Sequence, residues 1–380
     1  MKENIKILCV APPYRTLPSR GYGGIEKVSY ERALCLSKLG FKIDFIAAEG
    51  SYIDFSTHIY RCKRLTIRVT HKDLASCKSF GEKVLNYIKF LSDTRAFSYF
   101  KVYSDCVNKN MVDLDEYNMI LNDAFRNEVW NSLFMHKLFP MERTIHFLHA
   151  MSSLPFWTNM PNFFKLKIQL GCLNRDTYFS LRNRGYKSFY TPNGIIIPDD
   201  RDVEEPEDFL VFISRITPVK GVHEAIKIAK YVKKKLIMIG PIIDLEYWRR
   251  DVAPYVDNKN CIYLGEVDED EKVKILRKSL ALIFTSRAPD NYPTVLLEAL
   301  SHGVPIVALY PPHPSGFYDI MNEQFCICGE SILDVVENFR RIYSIERKLI
   351  LRYAKENLSW DSIINRYLLP IFRDIIKGEC

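Results

Sequence analysis

The chain has 380 residues, 47% hydrophobic, 13% aromatic and 26% charged, with a formal charge of +7. Enough apolar residue is present to fill two cores, which excludes a disordered chain. No apolar run approaches the roughly 18 residues that a membrane-crossing helix requires.

The first element is a strand over Ile5–Val10. The apolar stretch of Met-Lys-Glu-Asn-Ile-Lys-Ile-Leu-Cys-Val is too short for a signal peptide, so a cytoplasmic protein is expected. The glycine loop Gly21-Tyr-Gly23-Gly24 then opens a helix with Ile25, Val28, Cys35, Leu36 and Leu39 at helical spacing, ended by Gly40. A strand over Phe41–Ala48, a helix over 80–105 and strands at Met119–Leu121 and Thr144–Leu148 continue a βαβ alternation. Gly194, Pro198, Asp199, Asp200 and Glu204-Glu205-Pro206 break the periodicity and predict an interdomain linker. A second cycle follows, with strands at Phe209–Ile213, Leu236–Ile239, Cys261–Leu264, Ala281–Thr285 and Pro305–Leu309, then mostly helix. Two Rossmann-like domains with a ligand cleft between them are the expectation.

Charge divides unevenly. Residues 1–194 carry about 28 Lys/Arg against about 17 Asp/Glu, so the remainder is slightly acidic. Arg61, Lys63, Arg64, Arg68 and Lys72 concentrate part of the excess. Such a surface is either simply solvated or suited to anionic lipid, nucleic acid or a phosphorylated acceptor. Phe163-Phe-Lys165-Leu-Lys167 mixes aromatic and basic residues as a peripheral membrane segment does. The ten cysteines lack C-x-x-C spacing, and Cys326 and Cys328 have no histidine nearby. Free thiols in a reducing compartment are expected, and no metal site.

Four stretches carry candidate chemistry. Ser214-Arg215-Ile-Thr-Pro-Val-Lys220-Gly221 puts two cations on the turn after a strand, where the following helix N-terminus also favours anions. Arg215 and Lys220 suit a diphosphate there, or else are exposed cations beside a cap. Asp290-Asn291-Tyr-Pro-Thr-Val295-Leu-Leu-Glu298 sets two carboxylates around a turn that opens a helix stopped by Gly303. A carboxylate at such a corner can accept from both hydroxyls of a ribose, as in dinucleotide folds, or act as a cap. The Gly23–Gly24 loop lacks G-x-G-x-x-G spacing, so a nicotinamide cofactor is not supported; its amides suit a phosphate or a tight turn. His146 and His149 lie three apart at a strand, on opposite faces, and should not share a metal.

In this order the stretches resemble the retaining family-4 glycosyltransferases (glycosyl transferases group 1) of GT-B fold. Asp290 and Glu298 fall on the family's Glu-x7-Glu, followed by Ala-small-x-Gly-x-Pro. Arg215 and Lys220 fall on its Gly-Arg-Leu-x-x-Glu-Lys-Gly, with Ser214 and Val219 replacing the Gly and Glu. Gly23-Gly24-Ile25-Glu26 is similar to its Gly-Gly-x-Glu loop, Pro192-Asn193-Gly194-Ile195 to its Pro-Asn-Gly-Ile-Asp without the Asp, and Leu358-Ser-Trp360-Asp361 to its closing motif.

The resemblance implies an acceptor-side domain over 1–194, a nucleotide-sugar domain over 195–360 and a helix over 361–380 that returns to the first domain. Gly23, Gly24, Asp290, Asn291, Val295, Glu298 and Val267 would bind the donor: Glu298 the ribose, Asp290 and the backbone after it the hexose, and the Gly265-Glu266-Val267 backbone the base. Arg215 and Lys220 would stabilise the departing diphosphate, and His149 would lie near the transferred sugar, with His146 structural. The implied activity is metal-independent retaining hexosyl transfer from a nucleotide diphosphate sugar to a glycan, lipid-linked or other hydroxyl acceptor. The implied chemistry uses no cofactor, no protein nucleophile and no nucleic acid, with peripheral contact to an anionic membrane as a further expectation. A GT-B-like phosphorylase or hydrolase using Asp290 and Glu298, or a non-catalytic binding protein with a basic first half, are the competing readings.

Overall fold

In the computed structural model, the residues described are 5–19, 23–64, 95–124, 138–149, 165, 167–198 and 204–378. The first domain is built on seven parallel strands in the order β3-β2-β1-β4-β5-β6-β7. They are β1 (Lys6–Val10), β2 (Lys42–Ala48), β3 (Ile59–Cys62), β4 (Met119–Asn122), β5 (Thr144–Leu148), β6 (Gln169–Cys172) and β7 (Lys187–Tyr190). The second sheet is also parallel, in the order β10-β9-β8-β11-β12-β13. Its strands are β8 (Phe209–Ile213), β9 (Lys235–Ile239), β10 (Cys261–Gly265), β11 (Ala281–Phe284), β12 (Ile306–Leu309) and β13 (Cys326–Gly329). The central strands are largely apolar because helices cover both of their faces. Ile7, Leu8, Cys9 and Val10, for example, are all fully buried.

Each sheet reverses its strand order beside its first strand: β1 lies between β2 and β4, and β8 between β9 and β11. Helices on opposite sides of such a switch point leave a crevice at the strands' carboxyl ends, the usual ligand site of open α/β sheets. The first helices are α1 (Gly24–Lys38) after β1, α2 (Arg95–Lys109), α3 (Arg175–Arg182) after β6 and α4 (Val222–Tyr231) after β8. In the second domain α5 (Glu269–Lys278) precedes β11 and α6 (Thr294–Ser301) follows it; α7 (Ile332–Asn338), α8 (Arg347–Asn357) and α9 (Leu369–Lys377) complete the chain. α1 buries Val28, Cys35 and Leu36, and the left-handed Gly40 ends its turn.

The chain crosses between the domains at two neighbouring strands of backbone. Ile195 donates to the Leu358 carbonyl at 2.9 Å and accepts from Trp360 at 3.2 Å. A side chain at Gly194 would come within 2.7 Å of the Trp360 ring, so only glycine lets the two segments lie this close. The buried Trp360 indole donates to Glu31 of α1 at 3.1 Å, and Phe372 of α9 packs edge-on against Phe41 of the first domain at 6.2 Å.

The thiol expectation needs one correction. Cys326 and Cys328, two apart on β13 and so on the same face of that strand, form a disulfide. Cys9, Cys35, Cys62, Cys106, Cys172 and Cys261 are free and buried. The helix anticipated over 80–105 lies largely outside the described residues; only Arg95–Lys109 is seen, as helix. Gly21, Arg68, Lys72, Phe163, Phe164, Asp199 and Asp200 also lie outside them. Among the described residues no helix is long and apolar enough to cross a membrane.

Candidate active site

The turn after β8 is folded tightly onto the end of β11. Pro218–Lys220 form one 3-10 turn and Gly221 follows in the left-handed region at φ 68°. A side chain there would approach the Thr285 carbonyl to 2.0 Å, and the Thr285 hydroxyl donates to the Gly221 carbonyl at 2.7 Å. This anchoring directs Lys220 across to the next loop, where its Nζ meets Asp290 Oδ2 at 2.5 Å. Both side chains remain partly open to solvent. Two residues that the sequence assigned to diphosphate and hexose are therefore direct partners. Arg215 stands half-buried on the loop between β8 and this turn.

Two helices begin at the same corner. α1 starts behind Gly23 and α6 behind Pro293, and neither N-terminus is capped by a side chain. A Cβ on Gly24 would lie 3.6 Å from the Thr294 hydroxyl, so the two N-termini face each other across the crevice. Val295 is in the first turn of α6 and half-buried. Opposed helix N-termini beside a lysine form an environment for anionic oxygen. Val267, on the loop after β10, is half-buried against the main core.

Glu298 lies one turn along α6 in a ring of four alternating charges. Lys27 of α1 contacts Glu298 Oε1 at 3.1 Å and Glu269 at 2.9 Å; Lys272 contacts Glu298 Oε2 at 2.9 Å and Glu269 at 2.8 Å. Burial works against ionisation of Glu298, but Lys27 and then Lys272 outweigh it and hold the carboxyl below its usual range. A cavity of about 280 Å³ adjoins this ring, lined by Lys27, Glu31, Glu269, Arg277, Glu298 and His302 with Ile195, Ile196, Val273 and Leu351. Lys220, Asp290 and His149 are not among its lining residues. Burial, then Arg277, pushes the His302 imidazole down to about 4, so it is neutral.

The side chain of Asn291 joins the two domains. Its buried side chain donates to the Leu148 carbonyl and accepts from Asn174, and its carbonyl accepts from Asn174 at 3.1 Å. It is a strut between the domains, because the turn after β11 presses against the ends of β5 and β6.

His149 follows β5 directly and presents Nε2 to Asp123 Oδ1 at 2.8 Å. Asp123, at the end of β4, is buried and also pairs with the buried Arg32 of α1. His146 is fully buried and bonded to Asn122 at 3.0 Å.

Sequence reasoning missed Lys27, Glu269 and Lys272 around Glu298, and Asp123 and Arg32 behind His149. A carboxylate at the end of β4, next to the switch point, was the available signal for Asp123. The ring's partners come from three helices with no local pattern. Three Asp-x-Asp triplets occur in the chain: Asp113 caps a 3-10 turn, Asp268 caps α5, and Asp200-Arg-Asp202 lies outside the described residues. Among the described residues no group of three His, Cys, Asp or Glu side chains could hold a metal ion.

Two parallel-sheet domains facing each other across a crevice, with opposed helix N-termini at its floor, define the GT-B fold. Three solved structures share it over nearly their whole length: sucrose-phosphate synthase from Thermosynechococcus elongatus (11% identical, 98% of this chain and 100% of that one, TM-score 0.69), AviGT4, a glycosyltransferase involved in avilamycin A biosynthesis (16%, 98% of both, 0.62), and HepE of Anabaena in complex with UDP and glucose (13%, 95% and 98%, 0.60). Residues 196–349 match the family glycosyl transferases group 1. A 77-residue stretch is also 32% identical to WcaC of Escherichia coli (strain K12), whose name assigns it provisionally as a colanic acid biosynthesis glycosyl transferase; the match spans 18% of that protein.

Proposed function

We propose that the protein transfers a hexose from a nucleotide diphosphate sugar to a carbohydrate or lipid-linked hydroxyl, retaining the anomeric configuration and needing no metal. The observation that carries this reading is the corner where Lys220, Asp290 and the N-termini of α1 and α6 converge. The donor's diphosphate lies beside the two neighbouring helix N-termini, with Lys220 and Arg215 taking up the negative charge that grows as the glycosidic bond breaks. The hexose lies towards Asp290 and His149, and the ribose hydroxyls donate to Glu298, which the lysines keep ionised. HepE was crystallised with UDP and glucose, so a uridine donor is the first to try. WcaC is named for a polysaccharide pathway, which makes a glycan or its lipid-linked precursor the acceptor class to screen. The activity is placed on the cytoplasmic side, with peripheral membrane contact through the basic first domain.

The test is a panel of UDP-, GDP-, ADP- and dTDP-sugars, read as thermal stabilisation and as sugar transfer in excess chelator. A ligand at 100 times its Kd stabilises by about 2.7 kcal/mol, which a melting curve resolves. Product NMR then reports the anomer. An inverted linkage, or a strict requirement for added metal, would overturn this mechanism.

A further inference from the structure

The turn that carries Lys220 is held from one side by the loop after β11. The Thr285 hydroxyl that donates to the Gly221 carbonyl also lies 3.3 Å from the Lys220 carbonyl, and the Arg287 N–H donates to the Val219 carbonyl at 2.8 Å. Three successive carbonyls of the turn therefore face one loop. An ion pair continues the grip. Glu224, in the first turn of α4, folds back over Gly221, with Oε2 3.1 Å from where a side chain there would begin. Only 2% of its side chain is exposed, and it pairs with the guanidinium of Arg287, which reaches in from the surface. His223 Nε2 meets the same Glu224 oxygen at 2.9 Å, and the Tyr247 hydroxyl holds the imidazole at Nδ1 from 2.7 Å. Neither Glu224 oxygen takes a backbone N–H among the described residues. The buried carboxylate is therefore balanced by side chains, and Arg287 supplies the permanent charge.

We propose that Glu224 and Arg287 are positioning residues that brace the Lys220 turn against the loop carrying Asp290, so that Lys220 keeps its place when a donor displaces Asp290 from it. This rests on the glycosyltransferase reading for what Lys220 meets; the brace itself does not depend on it. The two loops are tied by side chains twice. Lys220 with Asp290 forms the open tie, where both side chains are partly solvated and a donor oxygen can take the place of the carboxylate. Glu224 with Arg287 forms the other, and burial of the carboxylate keeps that one closed. Once the first tie is given up to the donor, the second and the backbone bonds set the register of the loops. Removing Arg287 leaves a buried carboxylate short of its counter-charge, which drives the first turn of α4 to shift towards water. Lys220 lies four residues before Glu224, so the shift reaches it directly. A displacement of about 1 Å at such a site costs up to about 100-fold in rate. Neither Glu224 nor Arg287 touches the donor in this scheme.

The experiment uses the full chain and begins without any ligand. Hydrogen exchange over residues 214–224 should be faster in Arg287→Met than in wild type, while the first domain exchanges as before. Unchanged exchange in that segment would overturn the brace. Transfer is then measured with UDP-glucose, or whichever sugar nucleotide of the panel stabilises the protein. Arg287→Met should lower kcat about 10- to 100-fold and change the donor KM far less, and Arg287→Lys, which keeps the charge, should recover part of the loss. Glu224→Gln, an isosteric change that serves if the Arg287 variants fail to fold, should match Arg287→Met, and the double variant should be no worse than either. Because the brace acts through Lys220, Arg287→Met should cost little further kcat in a Lys220→Ala background. A full additional loss there would show that Arg287 meets the donor itself and would overturn the positioning role. Normal kcat in folded Arg287→Met and Glu224→Gln proteins, with only a lower melting temperature, would mark the pair as merely structural and also overturn it. If no sugar nucleotide supports transfer, the glycosyltransferase reading fails and the catalytic role with it, while hydrogen exchange still reads the brace.

Discussion

Lys220→Ala separates a catalytic cation from a structural one. In the protein as it stands Lys220 Nζ is 2.5 Å from Asp290, and both side chains are partly solvated. An ion pair of that exposure contributes about 1 kcal/mol or less to stability. In a domain of this size that is a fall in melting temperature of about 2–4 °C. The catalytic loss is expected to be far larger. Removing one preorganised donor from a developing anion costs about 3–4 kcal/mol, or about 100- to 1,000-fold in kcat. Because the charge grows only as the bond breaks, kcat should fall more than donor affinity. Asp290→Asn is the matched control: it removes the same ion pair but leaves the cation in place. Transfer and melting curves are measured on wild type, both single variants and the double variant. Near-normal turnover in a folded Lys220→Ala protein would refute the placement of the diphosphate. Equal loss of turnover in Lys220→Ala and Asp290→Asn, with the double variant no worse, would show that the pair acts as one unit rather than Lys220 alone.

Glu298→Gln should raise the donor KM by about 10- to 100-fold with a smaller effect on kcat, since a hydrogen bond to a charged group is worth about 1.5–3 kcal/mol. A 2′-deoxyribose donor should be a poorer substrate than its ribose form for wild type but not for Glu298→Gln; equal discrimination by both would exclude a ribose contact. His302 is neutral when folded, with its imidazole lowered to about 4 by burial and Arg277. Folding excludes its proton, so its contribution is full above pH about 6.5 and declines as the pH falls toward 4. Denaturant titrations over the upper part of that window, before lowered carboxyls such as Glu298 add their own acid losses, should show a slope that His302→Gln flattens. The basic first domain should sediment with anionic vesicles at low salt and release as salt rises; equal binding to neutral vesicles would exclude an electrostatic membrane contact.

The architecture was legible because parallel strands covered on both faces are short apolar runs separated by helical periodicity, as in Phe209–Ile213 and Ala281–Phe284. One local feature also has a plain steric reason: Gly221 must be glycine, because a side chain there would meet the Thr285 carbonyl. What sequence could not show is pairing across the crevice. Nothing in Asp290-Asn291 says that one side chain turns to Lys220 while the next bonds to a strand end of the other domain. Nor does Lys27, three residues beyond Gly24, announce two carboxylate partners from α5 and α6. Those contacts depend on how two sheets meet, which no single-segment pattern encodes. The Cys326–Cys328 pair illustrates another limit: compartment reasoning argued for free thiols, and the strand that puts both on one face lies in a stretch read as mostly helix.

The bonds around the crevice also bear on how it can exchange ligand. Lys27 with Glu298 and Glu269, Asn291 with Leu148 and Asn174, and the Arg175 N–H with Asp319 at 2.8 Å all join the two domains. Each is polar, and several sit where water or a ligand oxygen can replace one partner. An apolar seam would have to expose its area on opening at about 25 cal/mol for each Å², whereas a polar bond exchanged for water costs a net of about 1 kcal/mol. The apolar contacts between domains, Phe41 with Phe372 and the neighbourhood of Trp360, lie instead where the chain crosses over. Opening about that apolar crossing would break these replaceable bonds at the crevice. Glu298 is part of one of those bonds, so a ribose that takes its carboxylate competes with Lys27 for the same oxygens. Under the proposed function, donor binding would compete with a bond between the domains through this one side chain.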